Sequence, residues 1–146
     1  MIAKHPDTQP HKILLVEDDW NDARLIEQML NASEVRNKTY TVRDGEHALA
    51  FLLKGPIFAE TPTPDLILLD LNIPKINGFE FLDELASFPA LAQIPVAILT
   101  GSTSPDDKAR CIKKGVAAYL LKPDTVEGYD SVRKEIETLL LTSTRH

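Results

Sequence analysis

The chain has 146 residues, 43% of them hydrophobic and 26% charged, which is the size and balance of one globular domain and leaves no room for two. No stretch approaches the roughly 20 apolar residues that cross a bilayer, so no membrane association is expected. A net charge of −6 without a long basic run argues against nucleic-acid affinity, so any effect on transcription would be indirect.

Residues 1–11 hold two prolines and no apolar periodicity, and read as a flexible arm. They also lack the apolar core of a secretory signal, and the single Cys111 cannot form an internal disulfide, so the cytoplasm is the expected compartment. The fold is expected to begin at Lys12. Ile13 to Val16 form an apolar run that ends at Glu17-Asp18-Asp19. Leu25, Ile26, Met29 and Leu30 then recur at helical spacing, which predicts a helix over 20–32 with Asp19 as N-cap and Asp22 three residues on.

Thr39 to Val42 read as a second strand, followed by an Asp44-Gly45 turn into a helix through Ala48, Leu49, Phe51 and Leu52 that Gly55 stops. Residues 55–64, with three prolines, form a longer connection than the fold needs, either a partner-contact surface or a tolerated insertion. Leu66 to Leu69 is an aliphatic run between Pro64 and Pro74, the pattern of a short strand buried on both faces of a parallel sheet, and it ends at Asp70.

Gly78 opens a helix through Phe79, Phe81, Leu82 and Leu85 that ends before Pro89. Val96 to Leu99 form the fourth strand and run into Thr100-Gly101-Ser102. Ser104 is placed as the N-cap of a helix with Pro105 in its first turn and Asp106 and Asp107 at its positive end, and Gly115 ends it. Ala117 to Leu121 form a fifth strand ending at Lys122-Pro123, and a last helix is predicted over 126–141. The domain thus spans residues 12–141, with 142–146 a tail.

Five β-α units in series imply an α/β fold, a five-stranded parallel doubly wound sheet with five helices. In such sheets ligands sit beyond the carboxyl ends of the strands. Glu17, Asp18, Asp70, Thr100 and Lys122 all fall there, so three carboxylates, a hydroxyl and an ammonium converge on one edge.

This set, with Pro74, Gly78 and Tyr119 in the appropriate order, resembles the receiver domains of two-component response regulators built like the chemotaxis regulator. The resemblance covers residues 12–141 and implies the flavodoxin-like strand order 2-1-3-4-5. It implies phosphoryl transfer from a sensor histidine kinase to Asp70, with Mg²⁺ held by Glu17, Asp18, Asp70 and the backbone carbonyl of Asn72. Oxygen ligands of this kind suit Mg²⁺, and three negative charges against one ammonium favour a metal-dependent site. Lys122 and Thr100 would clamp phosphoryl oxygens, while Gly101 would leave room for the donor and free a backbone N–H. Thr100 and Tyr119 would form the switch, reshaping the face of the fourth helix, fifth strand and fifth helix by a population shift.

The loops around 64–74 and 88–95 further resemble the single-domain regulators paired with bacterial and cyanobacterial phytochrome kinases, which implies a light-responsive kinase as donor. About five residues follow the last helix, so a stand-alone receiver is expected, signalling through an unidentified downstream protein rather than acting as an enzyme. Leu139, Leu140 and Leu141 either extend an apolar surface for a homodimer or are two parts core. The competing reading is a metal-dependent phosphatase with an aspartyl-phosphate intermediate, which needs a second aspartate where this chain has Asn72. Cys111 reads as a small buried residue, His47 as exposed, and Trp20 as half-exposed.

Overall fold

The strand ends predicted above are brought side by side by a single parallel sheet. The computed structural model of the chain describes residues 9–55 and 58–142. The rest of the expected arm, residues 56 and 57 of the connection and most of the tail lie outside the described residues.

The sheet contains β1 (His11–Val16), β2 (Asn37–Val42), β3 (Leu66–Leu69), β4 (Val96–Thr100) and β5 (Ala118–Leu121) in the order β2-β1-β3-β4-β5, all parallel. Among the described residues six helices accompany it: α1 (Trp20–Asn31), α2 (Gly45–Leu53), α3 (Gly78–Ala86), α4 (Pro89–Ala92), α5 (Pro105–Lys113) and α6 (Tyr129–Thr142). This is the flavodoxin-like order that the sequence predicts.

Because strand side chains alternate between faces, the aliphatic runs split between two cores. Ile13, Leu15, Leu66, Leu68 and Leu99 pack under α1 and α6, through Ile26, Leu30, Val132 and Ile136. Leu14, Val16, Ile67, Leu69 and Ile98 pack under the other helices, through Phe51, Phe81, Leu85, Leu91 and Cys111. Cys111 is fully buried, as expected of a small apolar residue.

Local chemistry sets the helix starts. Asp19, Asp44, Asn77 and Ser104 each accept a backbone N–H from the first turn of α1, α2, α3 and α5. Asn77 and Glu80 complete a reciprocal capping box.

Several boundaries differ from expectation: β1 begins at His11, inside the expected arm, β2 begins at Asn37 rather than Thr39, α6 runs to Thr142, in the expected tail, and three further differences have local causes. The predicted five helices become six because Pro89 opens a one-turn helix, α4, that is too short to show apolar periodicity. Lys54, with φ 59°, rather than Gly55, supplies the left-handed residue that ends α2. The last helix starts at Tyr129 rather than 126. Residues 125–130 instead form successive tight turns, Gly128 N–H to Thr125 O and Tyr129 N–H to Val126 O, both at 3.1 Å, which leave Val126 exposed.

Candidate functional site

The ladder continues past the strands and places the site. Glu17 N–H donates to Val42 O at 3.0 Å, Asp70 N–H to Val16 O at 3.1 Å and Lys122 N–H to Thr100 O at 2.8 Å. Each of these residues is therefore held by backbone bonds at the carboxyl end of the sheet before its side chain makes any contact.

The side chains meet there. The Thr100 hydroxyl donates to Oδ1 of Asp70 at 2.9 Å, and the Asn72 backbone N–H donates to the same oxygen at 3.2 Å. Lys122 Nζ donates to Oδ2 of Asp70 at 2.9 Å and lies 2.8 Å from Oε1 of Glu17. Glu17, Asp70 and Thr100 are buried. Carboxylate oxygens of Glu17, Asp18 and Asp70 lie within 4.8 Å of one another.

Burial pushes the Glu17 carboxyl up to about 7, against the pull of Lys122 and with a further push from the charge of Asp70. Burial alone would lower the Lys122 ammonium, but Asp22, Glu17 and Asp70 outweigh it and hold the group above its ordinary value. Oε1 of Glu17 is buried, and the Lys122 ammonium 2.8 Å away faces it. Three carboxylates gathered within 4.8 Å, two of them buried and facing one ammonium, fit a hard divalent cation, whose preferred ligands are oxygens. The donor set is therefore suited to such an ion.

Gly101 follows Thr100, and a side-chain carbon built there would meet nothing within 4 Å. The space beside it is not needed by the protein's own packing. Tyr119 is packed against the core cluster that contains Ile98, and its hydroxyl donates to Ser102 O at 3.0 Å. Burial raises its phenol above the ordinary value. The residues predicted for the site thus lie near the one edge; the contact seen for Asn72 is its backbone N–H on Asp70, whereas the expected contribution is its carbonyl.

Two neighbours escaped the sequence reading. Asp22, read only as an acid in a helix start, places Oδ2 at 2.8 Å from Lys122 Nζ. Its signal is its position, one turn into a helix that begins at the same sheet edge. Ser102 accepts from Tyr119 through its carbonyl and donates its hydroxyl to Asp107 at 2.6 Å, linking the end of β4 to α5. Of the smaller expectations, His47 is exposed as predicted but its ring lies 2.8 Å from Asp44, and Trp20 is 66% exposed, with the Arg43 guanidinium 4.5 Å from its ring centre.

A parallel five-stranded sheet of this order, with an acidic edge closed by a lysine and a threonine, defines a receiver. The response regulator receiver domain profile matches residues 13–133, and the chain belongs to that family. Response regulator Rcp1 of Synechocystis sp. is 39% identical over 132 residues, covering 90% of each chain. The chain is also similar to the crystal structure of the phosphorylated cyanobacterial phytochrome response regulator RcpA, with a TM-score of 0.85 and 40% identity over 93% of this chain and 97% of that one. The Mn²⁺-bound form of Rcp1 gives a TM-score of 0.84 and 38% identity over 93% and 98%. This chain is therefore a receiver-domain signalling protein homologous to phytochrome response regulators. Among the described residues no helix is long and apolar enough to cross a membrane.

Proposed function

We propose that Asp70 accepts a phosphoryl group from a sensor histidine kinase and that the resulting change at Thr100 and Tyr119 carries the signal. The observation that supports this most is the meeting of Thr100 and Lys122 on the two oxygens of Asp70, each at 2.9 Å. In the reaction an Asp70 oxygen bonds to phosphorus as the donor's phosphorus–nitrogen bond breaks, and the departing imidazole takes its proton from solvent. Lys122 and Thr100 stand where negative charge on the transferred group would collect.

Glu17, Asp18, Asp70 and the Asn72 carbonyl would hold Mg²⁺, for which the Mn²⁺ of the Rcp1 structure is a precedent in a relative. When bound, the ion supplies positive charge to offset the clustered carboxylates and the phosphoryl oxygens. Asn72 offers no carboxyl to take a proton from an attacking water, so the phosphorylated state decays slowly and the protein acts as a timed signal rather than a phosphatase.

The likeness to RcpA and Rcp1 supports a phytochrome, and thus a light-responsive kinase, as donor. The 12–141 domain works as a cytoplasmic receiver in this reading, and its output is a binding event on the face of α5, β5 and α6. Self-association through α6 would rest on Leu141, since Leu140 is core and Leu139 packs half-buried against it. Sedimentation at several concentrations tests that part, and a concentration-independent monomer removes it.

Intact-protein mass after incubation with acetyl phosphate tests the central reading. Gain of one phosphoryl group is expected only with Mg²⁺ present and Asp70 intact, with Asp70→Asn as control. Uptake by the Asp70→Asn variant would reassign the acceptor.

A further inference from the structure

We propose that Asp22 is a positioning residue that holds the Lys122 ammonium in the site when Glu17 and Asp70 are claimed by a divalent cation, a reading that rests on Asp70 being the phosphoacceptor. Three carboxylates share this one ammonium: Asp22 and Glu17 at 2.8 Å and Asp70 at 2.9 Å. They are not equivalent. Glu17 and Asp70, with Asp18, form the cluster whose oxygens gather within 4.8 Å, and Asp22 stands outside it. A cation drawn into that cluster competes with Lys122 for two of its three partners and leaves the third untouched.

The consequence follows from the nature of lysine. Its charge sits on a flexible four-carbon stem, and a point charge on such a stem serves a transition state only if something fixes its direction. The Lys122 side chain is 13% exposed, too buried to rely on water for a partner. Asp22 meets that need from an anchored position. Its own N–H is held by the Asp19 carboxylate at 2.9 Å, which fixes the first turn of α1, and its side chain reaches a residue 100 positions away at the end of β5.

Asp22 also carries a negative charge that opposes an anionic donor. Its side chain is 33% exposed, so water screens that repulsion, whereas its contact with the ammonium is direct. Ordering of Lys122 therefore outweighs repulsion, and losing Asp22 slows phosphorylation.

The first arm compares phosphorylation by acetyl phosphate at saturating Mg²⁺ for the full chain and its Asp22→Asn and Asp22→Glu variants. Asp22→Asn keeps the side-chain shape and is expected to slow uptake about fivefold, the scale of a partly exposed charged contact. Asp22→Glu, which restores the charge, is expected to recover most of the rate, and a merely structural role would not be rescued this way. An unchanged or faster Asp22→Asn rate overturns the proposal, the faster case making Asp22 a brake.

The second arm needs no variant to fold. Nitrogen-detected NMR of the lysine ammonium groups in the wild-type chain, titrated with Mg²⁺ alone, should show the Lys122 signal still protected from solvent exchange at saturation. Its loss on Mg²⁺ addition overturns the proposal. A wild-type chain that takes up no phosphoryl group from any donor while retaining this signal would instead overturn the function proposed for Asp70.

Discussion

The Thr100 hydroxyl donates to Oδ1 of Asp70 from the adjacent parallel strand, at 2.9 Å, and neither residue is exposed to solvent. The bond ties the residue proposed to be phosphorylated to the residue proposed to report it. Thr100→Ala should cost about 1 kcal/mol of stability, because Oδ1 keeps the Asn72 N–H as a second donor. Thr100→Ser should recover it. In Thr100→Ala, uptake of phosphate continues but the ring resonances of Tyr119 no longer shift on phosphorylation. A full Tyr119 shift in that variant would show that the signal leaves Asp70 by another route.

Among the described residues Lys122 is the cation that Glu17, Asp22 and Asp70 share in ion pairs, so its removal leaves like charges facing one another in a buried site. Lys122→Ala should destabilise the metal-free protein by about 3 kcal/mol, the scale for stripping one partner from a buried pair. Mg²⁺ should return part of that loss by supplying the missing positive charge. Urea unfolding with and without Mg²⁺ measures both. If Mg²⁺ stabilises wild type and variant equally, the cation and the lysine are not meeting the same carboxylates.

How much of this was legible in the sequence depended on distance along the chain. Aliphatic runs that each end in a polar residue reveal parallel strands and the edge where Glu17, Asp70, Thr100 and Lys122 collect, because a parallel sheet presents all its carboxyl ends together. Side-chain direction at that edge is a different matter. The contact between Asp22 and Lys122 spans 100 residues and depends on how α1 leans over the sheet, which no local pattern encodes. The start of α6 was misread for the opposite reason. Val126 is apolar at a plausible helical position, yet the turns of residues 125–130 leave it in solvent. Helix α4 is a single turn, shorter than the period that would announce it.

Asp44 caps α2 through the His47 N–H at 2.7 Å and meets the His47 ring at 2.8 Å. Burial would raise its carboxyl, but these His47 contacts prevail and hold it below its ordinary 3.8. A depressed carboxyl contributes stability that is present above the ordinary value and lost as pH falls through the folded one. Asp44→Ala should therefore cost about 1 kcal/mol at neutral pH. The difference from wild type should shrink below pH 3.8, as Asp44 itself becomes protonated. Denaturant midpoints across that range check the sign, and a gap that widens on acidification would contradict the assignment.

Gly78 opens α3 against the segment that leaves β3, and its N–H donates to Leu71 O at 3.0 Å. A side-chain carbon there would lie 2.7 Å from Leu71 Cα and 3.2 Å from the backbone oxygen of Asp70. Alanine is the better helix former by about 1 kcal/mol in a helix interior, less at a first position. Overpacking against backbone costs about 1–3 kcal/mol, since no side chain can rotate away. The clash should win, and Gly78→Ala should lower the unfolding free energy by about 1 kcal/mol or more. The backbone relieves it by shifting at Leu71 and Asp70, so phosphorylation from acetyl phosphate should slow as well. A stabilised Gly78→Ala variant with an unchanged phosphorylation rate would mean that α3 can retreat from β3 without disturbing the Asp70 backbone.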